Sequence, residues 1–105
     1  MDRIPESLLD KILVGDCVQE LKKLPDHSVD LIILDPPYWK VTNEHWDYDW
    51  RTKSDYAKWC FQWFPELARV IKLSGNLYLF GYLRNLIYFF KDILDLGFVF
   101  RQQLI

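Results

Sequence analysis

One stretch of the 105-residue chain gathers groups suited to chemistry: Asp35–Pro36–Pro37–Tyr38. Asp35 offers a carboxylate as a hydrogen-bond acceptor. Pro36 and Pro37 fix φ and carry no N–H, so their carbonyls are held rigidly and no neighbouring donor competes for them. Tyr38 adds an aromatic face. At average residue usage, this tetrapeptide turns up in a chain of this length only a few times in about ten thousand. The plainer interpretation is a strand-terminating turn with an exposed tyrosine. Location weighs against it: the motif follows Val29–Asp30–Leu31–Ile32–Ile33–Leu34, and ligand sites in open α/β sheets lie outside the carboxyl ends of strands.

The elements that must position the motif can be read from periodicity. Val29–Leu34 is nearly apolar without alternation, which predicts a strand buried on both faces of a parallel sheet. Upstream, Lys11–Val14 predicts a short strand stopped by Gly15–Asp16. Val18, Leu21 and Leu24 lie at helical spacing, a short helix ended by Pro25, and Pro25–Ser28 is a turn. A polar, aromatic loop follows at roughly 39–53. From Ser54, the series Tyr56, Trp59, Cys60, Trp63, Phe64, Leu67, Val70 and Ile71 predicts a helix of four turns, kinked or divided at Pro65. Leu73–Asn76 reads as a turn and Leu77–Phe80 as a second buried strand. A helix with Leu83, Leu86, Ile87, Phe90 and Leu94 inward and Gly97 as its C-cap comes next, then a strand from Phe98 to Ile105. Alternating strands and helices predict an α/β fold of three layers.

Composition excludes several classes. Half the residues are hydrophobic and 27% charged, with 5 Trp, 6 Tyr and 7 Phe, which suits one small packed domain and not a disordered tail. No apolar run approaches the roughly 18–20 residues of a membrane span, and Met1–Glu6 has no apolar core of a secretory signal. Cys17 and Cys60, with only His27 and His45 to help, make neither a disulfide framework nor a four-ligand metal site. A reduced, cytoplasmic setting is expected. The 13 Lys and Arg are scattered against 15 Asp and Glu. Any grip on nucleic acid phosphates must therefore come mostly from elsewhere.

Asp-Pro-Pro-Tyr after an apolar strand resembles the catalytic motif of the DNA amino-methyltransferases, which transfer a methyl group from S-adenosylmethionine to adenine N6 or cytosine N4. The likeness runs through Gly15–Asp16–Cys17, Leu24–Ile32, Trp46–Asp47, Leu67–Ile71 and Gly75–Phe80, in that family's order. It is most similar to the permuted group whose catalytic motif lies near the N-terminus. The resemblance implies a Rossmann-like methyltransferase fold, an adenine-N6 activity in restriction–modification or genome marking, and catalytic roles for Asp35, Pro36, Pro37 and Tyr38. It implies cofactor contacts at Asp16, Cys17 and Asp35, and no metal. Asp at the motif's first position leans toward adenine. Cytosine N4, RNA, or a protein amide is the alternative substrate, the last disfavoured because that motif usually begins with Asn.

Those roles make chemical sense. An exocyclic amino nitrogen is a poor nucleophile because its lone pair is delocalised into the ring. The Asp35 carboxylate and the Pro36 carbonyl, placed on its two hydrogens, would draw it toward tetrahedral geometry. Tyr38 would stack on a base flipped out of the duplex, an interaction worth roughly 1–3 kcal/mol. Gly15–Asp16–Cys17, taken alone, is more often a turn with a helix N-cap. Trp39, Trp46 and Trp50 suit a lid over the base or packing on a sheet edge, while Trp59 and Trp63 belong to the core stripe. His27 and His45 read as surface residues.

A Gly-x-Gly turn for the methionine moiety is absent, since no two of Gly15, Gly75, Gly81 and Gly97 lie two apart. The chain therefore reads as the N-terminal catalytic portion, 1–105, of a larger methyltransferase domain, with the cofactor site completed elsewhere. Its expected partners are double-stranded DNA and the remaining C-terminal half, in the same or a separate chain, with a homodimer as a further arrangement. Inactivity of the isolated chain, or a non-catalytic remnant, is the corresponding expectation. The permuted order also predicts that strands 11–14 and 30–34 run parallel without pairing, about 10–15 Å apart.

Overall fold

The computed structural model describes residues 3–37, 52–81, 86–87 and 90–104. A 3-10 turn, Glu6–Leu8, precedes helix α1 (Cys17–Leu21), strand β1 (Val29–Leu34), helix α2 (Lys53–Val70), strand β2 (Ile71–Leu79) and helix α3 (Phe90–Asp95). Among the described residues, β1 and β2 form a two-stranded parallel sheet, with α2 as the crossover between them.

α2 is the organising element. Thr52 caps it, its hydroxyl accepting from the Asp55 N–H at 3.1 Å. The apolar stripe read from the sequence faces inward: Tyr56, Cys60, Trp63, Phe64, Leu67, Val70 and Ile71 are all buried, with Trp59 half-buried against Trp63 in an edge-to-face pair at 5.5 Å. Pro65 neither divides nor ends the helix, because it stands on the exposed face, where its ring displaces no core side chain.

The sheet presents one face to α2 through Ile32, Leu34, Leu77 and Leu79, all packed on the core cluster. Its other face is open. Leu31 (52% exposed), Ile33 (66%), Tyr78 (48%) and Phe80 (53%) point away from α2. The expectation of a strand buried on both faces is thus corrected: Ile32 and Leu34 pack on the core cluster while Leu31 and Ile33 stay exposed, so β1 is covered on one side only.

Three further corrections concern strands and turns. Residues 11–14 lie outside the sheet, with Ile12 and Val14 more than 90% exposed, and the expected pair of separated parallel strands is not formed. Residues 98–104 are likewise not a strand, and Val99, Phe100 and Leu104 are exposed. Apolar β-formers become a strand only when an edge accepts their backbone groups, and among the described residues β1 and β2 pair only with each other. The turn expected at 73–76 lies inside β2 as a bulge. Val29 pairs with Ile71 but Leu31 with Asn76, five steps along β2 against two along β1, and Leu73 on the bulge is 97% exposed. Gly75 is required there by close approach: a Cβ would stand 2.7 Å from Ile71 Cγ1 and 3.0 Å from the carbonyl oxygens of Asp30 and Lys72.

Of the residues expected inward around α3, Leu86 packs on the core cluster and Phe90 is half-buried, while Ile87 and Leu94 are exposed and Ile93 takes the buried position. Leu83 lies outside the described residues. Gly97 follows the helix at φ +102° and donates to the Leu94 carbonyl at 2.9 Å, as its C-cap assignment requires.

Candidate active site

The site begins where the two parallel strands end. Ile32, Ile33 and Leu34 pair in regular register with Leu77, Tyr78 and Leu79, and the Phe80 N–H donates to the Leu34 carbonyl at 2.9 Å. Asp35, Pro36 and Pro37 therefore emerge at the carboxyl edge of the sheet, the side on which open α/β sheets bind ligands. Asp35 is exposed and Pro36 half-buried. The Pro37 carbonyl accepts a hydrogen bond from the Tyr56 hydroxyl at 2.8 Å.

α2 holds both ends of β1. At the amino end, the His27 and Ser28 N–H groups donate to the carbonyls of Arg69 and Val70 at 2.9 and 2.8 Å, and the His27 Nδ1 lies 2.9 Å from the Ile71 carbonyl oxygen. The Ser28 hydroxyl closes the turn onto the Pro25 carbonyl at 2.7 Å. Arg69 reinforces this junction, donating to the carbonyls of Leu21 and Leu24 and to the carboxylates of Glu66 and Asp26. These two carboxylates, Glu66 first, hold its guanidinium above the ordinary arginine pKa.

Asp16 and Cys17 lie on a different element, the start of α1. The Asp16 side chain accepts from the Gln19 N–H at 3.1 Å, so the plain N-cap interpretation holds for it. Cys17 is exposed, and its thiol is pushed up by partial desolvation and then by the Asp16 charge, away from nucleophilic reactivity. Tyr38, Trp39, His45, Trp46 and Trp50 lie outside the described residues. Among the described residues no group of His, Cys, Asp or Glu is arranged to hold a metal, and no helix is long and apolar enough to cross a membrane.

Two residues escaped the sequence reading. Tyr56 was legible only as part of the core stripe, although a buried tyrosine must place its hydroxyl on a partner, and that is the signal that could have found it. Arg69, amid Leu67–Ile71, had no local signal, because its carbonyl partners are more than forty residues away in sequence.

A family profile described as DNA methylase matches residues 29–105. This chain belongs to the DNA methylase family. It is 31% identical over 93 residues to the type II methyltransferase M.HinfI of Haemophilus influenzae, covering 74% of this chain and 26% of that protein. It is 35% identical over 75 residues to the type II methyltransferase M.BamHI of Bacillus amyloliquefaciens, covering 70% of this chain and 18% of that one. The methylase chain thus spans about a quarter or less of the length of these relatives. The profile match opens at Val29, the first residue of β1, so it takes in the Asp35–Tyr38 motif and the helix that secures it.

Proposed function

We propose that this methylase segment carries the amino-group end of a DNA methyltransferase active site, and that the target is adenine N6. The observation that supports this best is the placement of Asp35–Pro37 at the carboxyl edge of a parallel sheet, secured by backbone and side-chain hydrogen bonds from β2 and α2. Asp35 and the Pro36 carbonyl accept the two amino hydrogens of an extruded base, which concentrates the nitrogen lone pair toward the incoming methyl group. Tyr38 supplies the stacking face.

S-adenosylmethionine fits the polar groups present. Asp16, Cys17 and Asp35 are exposed, and the Asp16 cap engages one oxygen, so the carboxylates can meet an ammonium or a ribose hydroxyl. These three residues would hold it, with the Gly-x-Gly part of the site contributed by sequence beyond 1–105. When bound, it supplies an electrophilic methyl group.

In this reading, 1–105 is the N-terminal catalytic portion of a Rossmann-like methyltransferase domain, and the remaining part covers Leu31, Ile33, Tyr78 and Phe80. Double-stranded DNA is the substrate, in restriction–modification or genome marking. The test is Asp35→Ala in the complete enzyme. Because Asp35 acts chiefly on the amino group and its cofactor contact is secondary, methyl transfer is expected to vanish while S-adenosylmethionine binding stays largely intact, and turnover within tenfold of wild type would sink the role. Digestion of the product to nucleosides separates the substrates: N6-methyladenine supports the proposal, and N4-methylcytosine replaces the base. Residues 1–105 in isolation are expected to bind no detectable cofactor.

A further inference from the structure

We propose that Tyr56 is a positioning residue for methyl transfer, its hydroxyl fixing the Asp35–Pro36–Pro37 turn through the Pro37 carbonyl. The proposal rests on the assignment of Asp35 and Pro36 to the amino group of the target base.

The need for such a residue follows from the motif itself. Two successive prolines have no N–H, so the turn cannot be tied down by its own backbone donors at those positions. Carbonyl oxygens are the handles that remain. Tyr56 takes one of them at 2.8 Å across 19 residues of sequence. It is well anchored for this. Its ring is only 4% exposed, lies in the core cluster with Cys60, Trp63 and Phe64, and its centroid stands 6.1 Å from that of Trp59. Cys60, one turn on in α2, is buried beside it in the same cluster, and burial pushes its thiol up to about 12 and so keeps it neutral.

A buried tyrosine must place its hydroxyl on some partner, and here the partner is the motif's own turn. Tyr56 joins the most buried stripe of α2 to the one loop that bears the motif, and it engages the peptide unit by which the chain leaves Pro37. With the opposite end of β1 fastened to Arg69 and Val70, α2 sets both the position of the strand and the orientation of the turn beyond it. Acceptors aimed at a developing charge act only if they are held before the reaction, and small displacements are severe in effect.

Tyr56→Phe in the complete enzyme tests this, because it removes the hydroxyl and keeps the ring. Single-turnover methyl transfer is expected to slow roughly 10- to 100-fold. KM for DNA, Kd for S-adenosylmethionine and Tm are expected to stay close to wild type. Replacement of Tyr56 by 3-fluorotyrosine, which keeps the donor, is expected to keep the rate. A Tyr56→Phe rate within threefold of wild type overturns the proposal, as does a rate loss matched by equal losses in cofactor affinity and Tm. Asp35→Ala, measured alongside, separates the two ideas. If it abolishes transfer while Tyr56→Phe does not slow it, only the positioning role falls. If it leaves transfer intact, the amino-group assignment falls and the positioning role with it.

Discussion

Replacing Arg69 by alanine removes the side-chain ties between the segment from Leu21 to Asp26 and the end of α2, and leaves the backbone hydrogen bonds of His27 and Ser28 in place. The guanidinium donates at 2.9 Å to the Leu21 carbonyl, at 2.8 Å to those of Leu24 and, through the same nitrogen, to Asp26, and at 2.7 Å to Glu66. Asp26 is 69% exposed and its pairing contributes little, about 0–0.5 kcal/mol. Glu66, one turn back on α2 and 19% exposed, adds about 0.5 kcal/mol. The two carbonyls at the end of α1 carry more. A hydrogen bond from a charged donor contributes about 1.5–3 kcal/mol when shielded, and with the Arg69 side chain 29% exposed about 1 kcal/mol each is reasonable. The loss is then about 2–3 kcal/mol, a fall in Tm of roughly 4–12 °C for a chain of 150 residues or more. Arg69→Lys is expected to recover less than half, since one ammonium cannot span four acceptors lying in different directions. Thermal unfolding of the complete enzyme followed by circular dichroism measures this. Amide hydrogen exchange at His27 and Ser28, which donate to Arg69 and Val70, reports it locally. An Arg69→Ala variant within 1 kcal/mol of wild type, or a lysine variant equal to wild type, would refute the argument.

Two other perturbations follow from packing and titration. Gly75→Ala drives a methyl group against Ile71 and two backbone oxygens, and is expected to destabilise by about 1–3 kcal/mol in urea unfolding; an unchanged midpoint would mean the bulge yields freely. Burial raises the Cys60 thiol from 9.0 to about 12, so the folded state keeps a proton that the unfolded chain releases above 9. Stability should therefore be undiminished below pH 9 and fall between pH 9 and 12 by up to about 1.4 kcal/mol per pH unit. Cys60→Ala should flatten that part of the profile, and an identical slope in the variant would rule the thiol out.

Much of this fold was legible because the decisive signals are local. The α2 stripe from Tyr56 to Ile71 needs only helical spacing, and β1 was bounded at Val29 and Leu34 by a turn before it and a proline pair after it. Lys11–Val14 and Phe98–Ile105 misled for the opposite reason. Both have strand composition, but a strand is completed by a neighbour, and no property of their own residues records whether one is there. The Gly75 region misled differently, since turn residues there mark a looped-out segment within a paired strand. At the candidate site, Asp35 to Pro37 could be placed from sequence because the strand aims them. The partnership of Tyr56 with Pro37 could not, since 19 residues and a helix separate them.

The three residues by which β2 exceeds β1 between Ile71 and Asn76 have a bearing on how this domain tolerates insertion and deletion. They sit at the amino end of the sheet, remote from the motif, and the register beyond Asn76 is regular up to Phe80. A residue gained or lost at Lys72–Ser74 can be absorbed as loop length, leaving Leu77 and Leu79 toward α2. The same change one step past Asn76 would exchange the two faces of the strand, sending Tyr78 into the core and Leu77 out. The bulge works as slack in the chain, and it confines length variation to the end of the sheet where no candidate site residue lies.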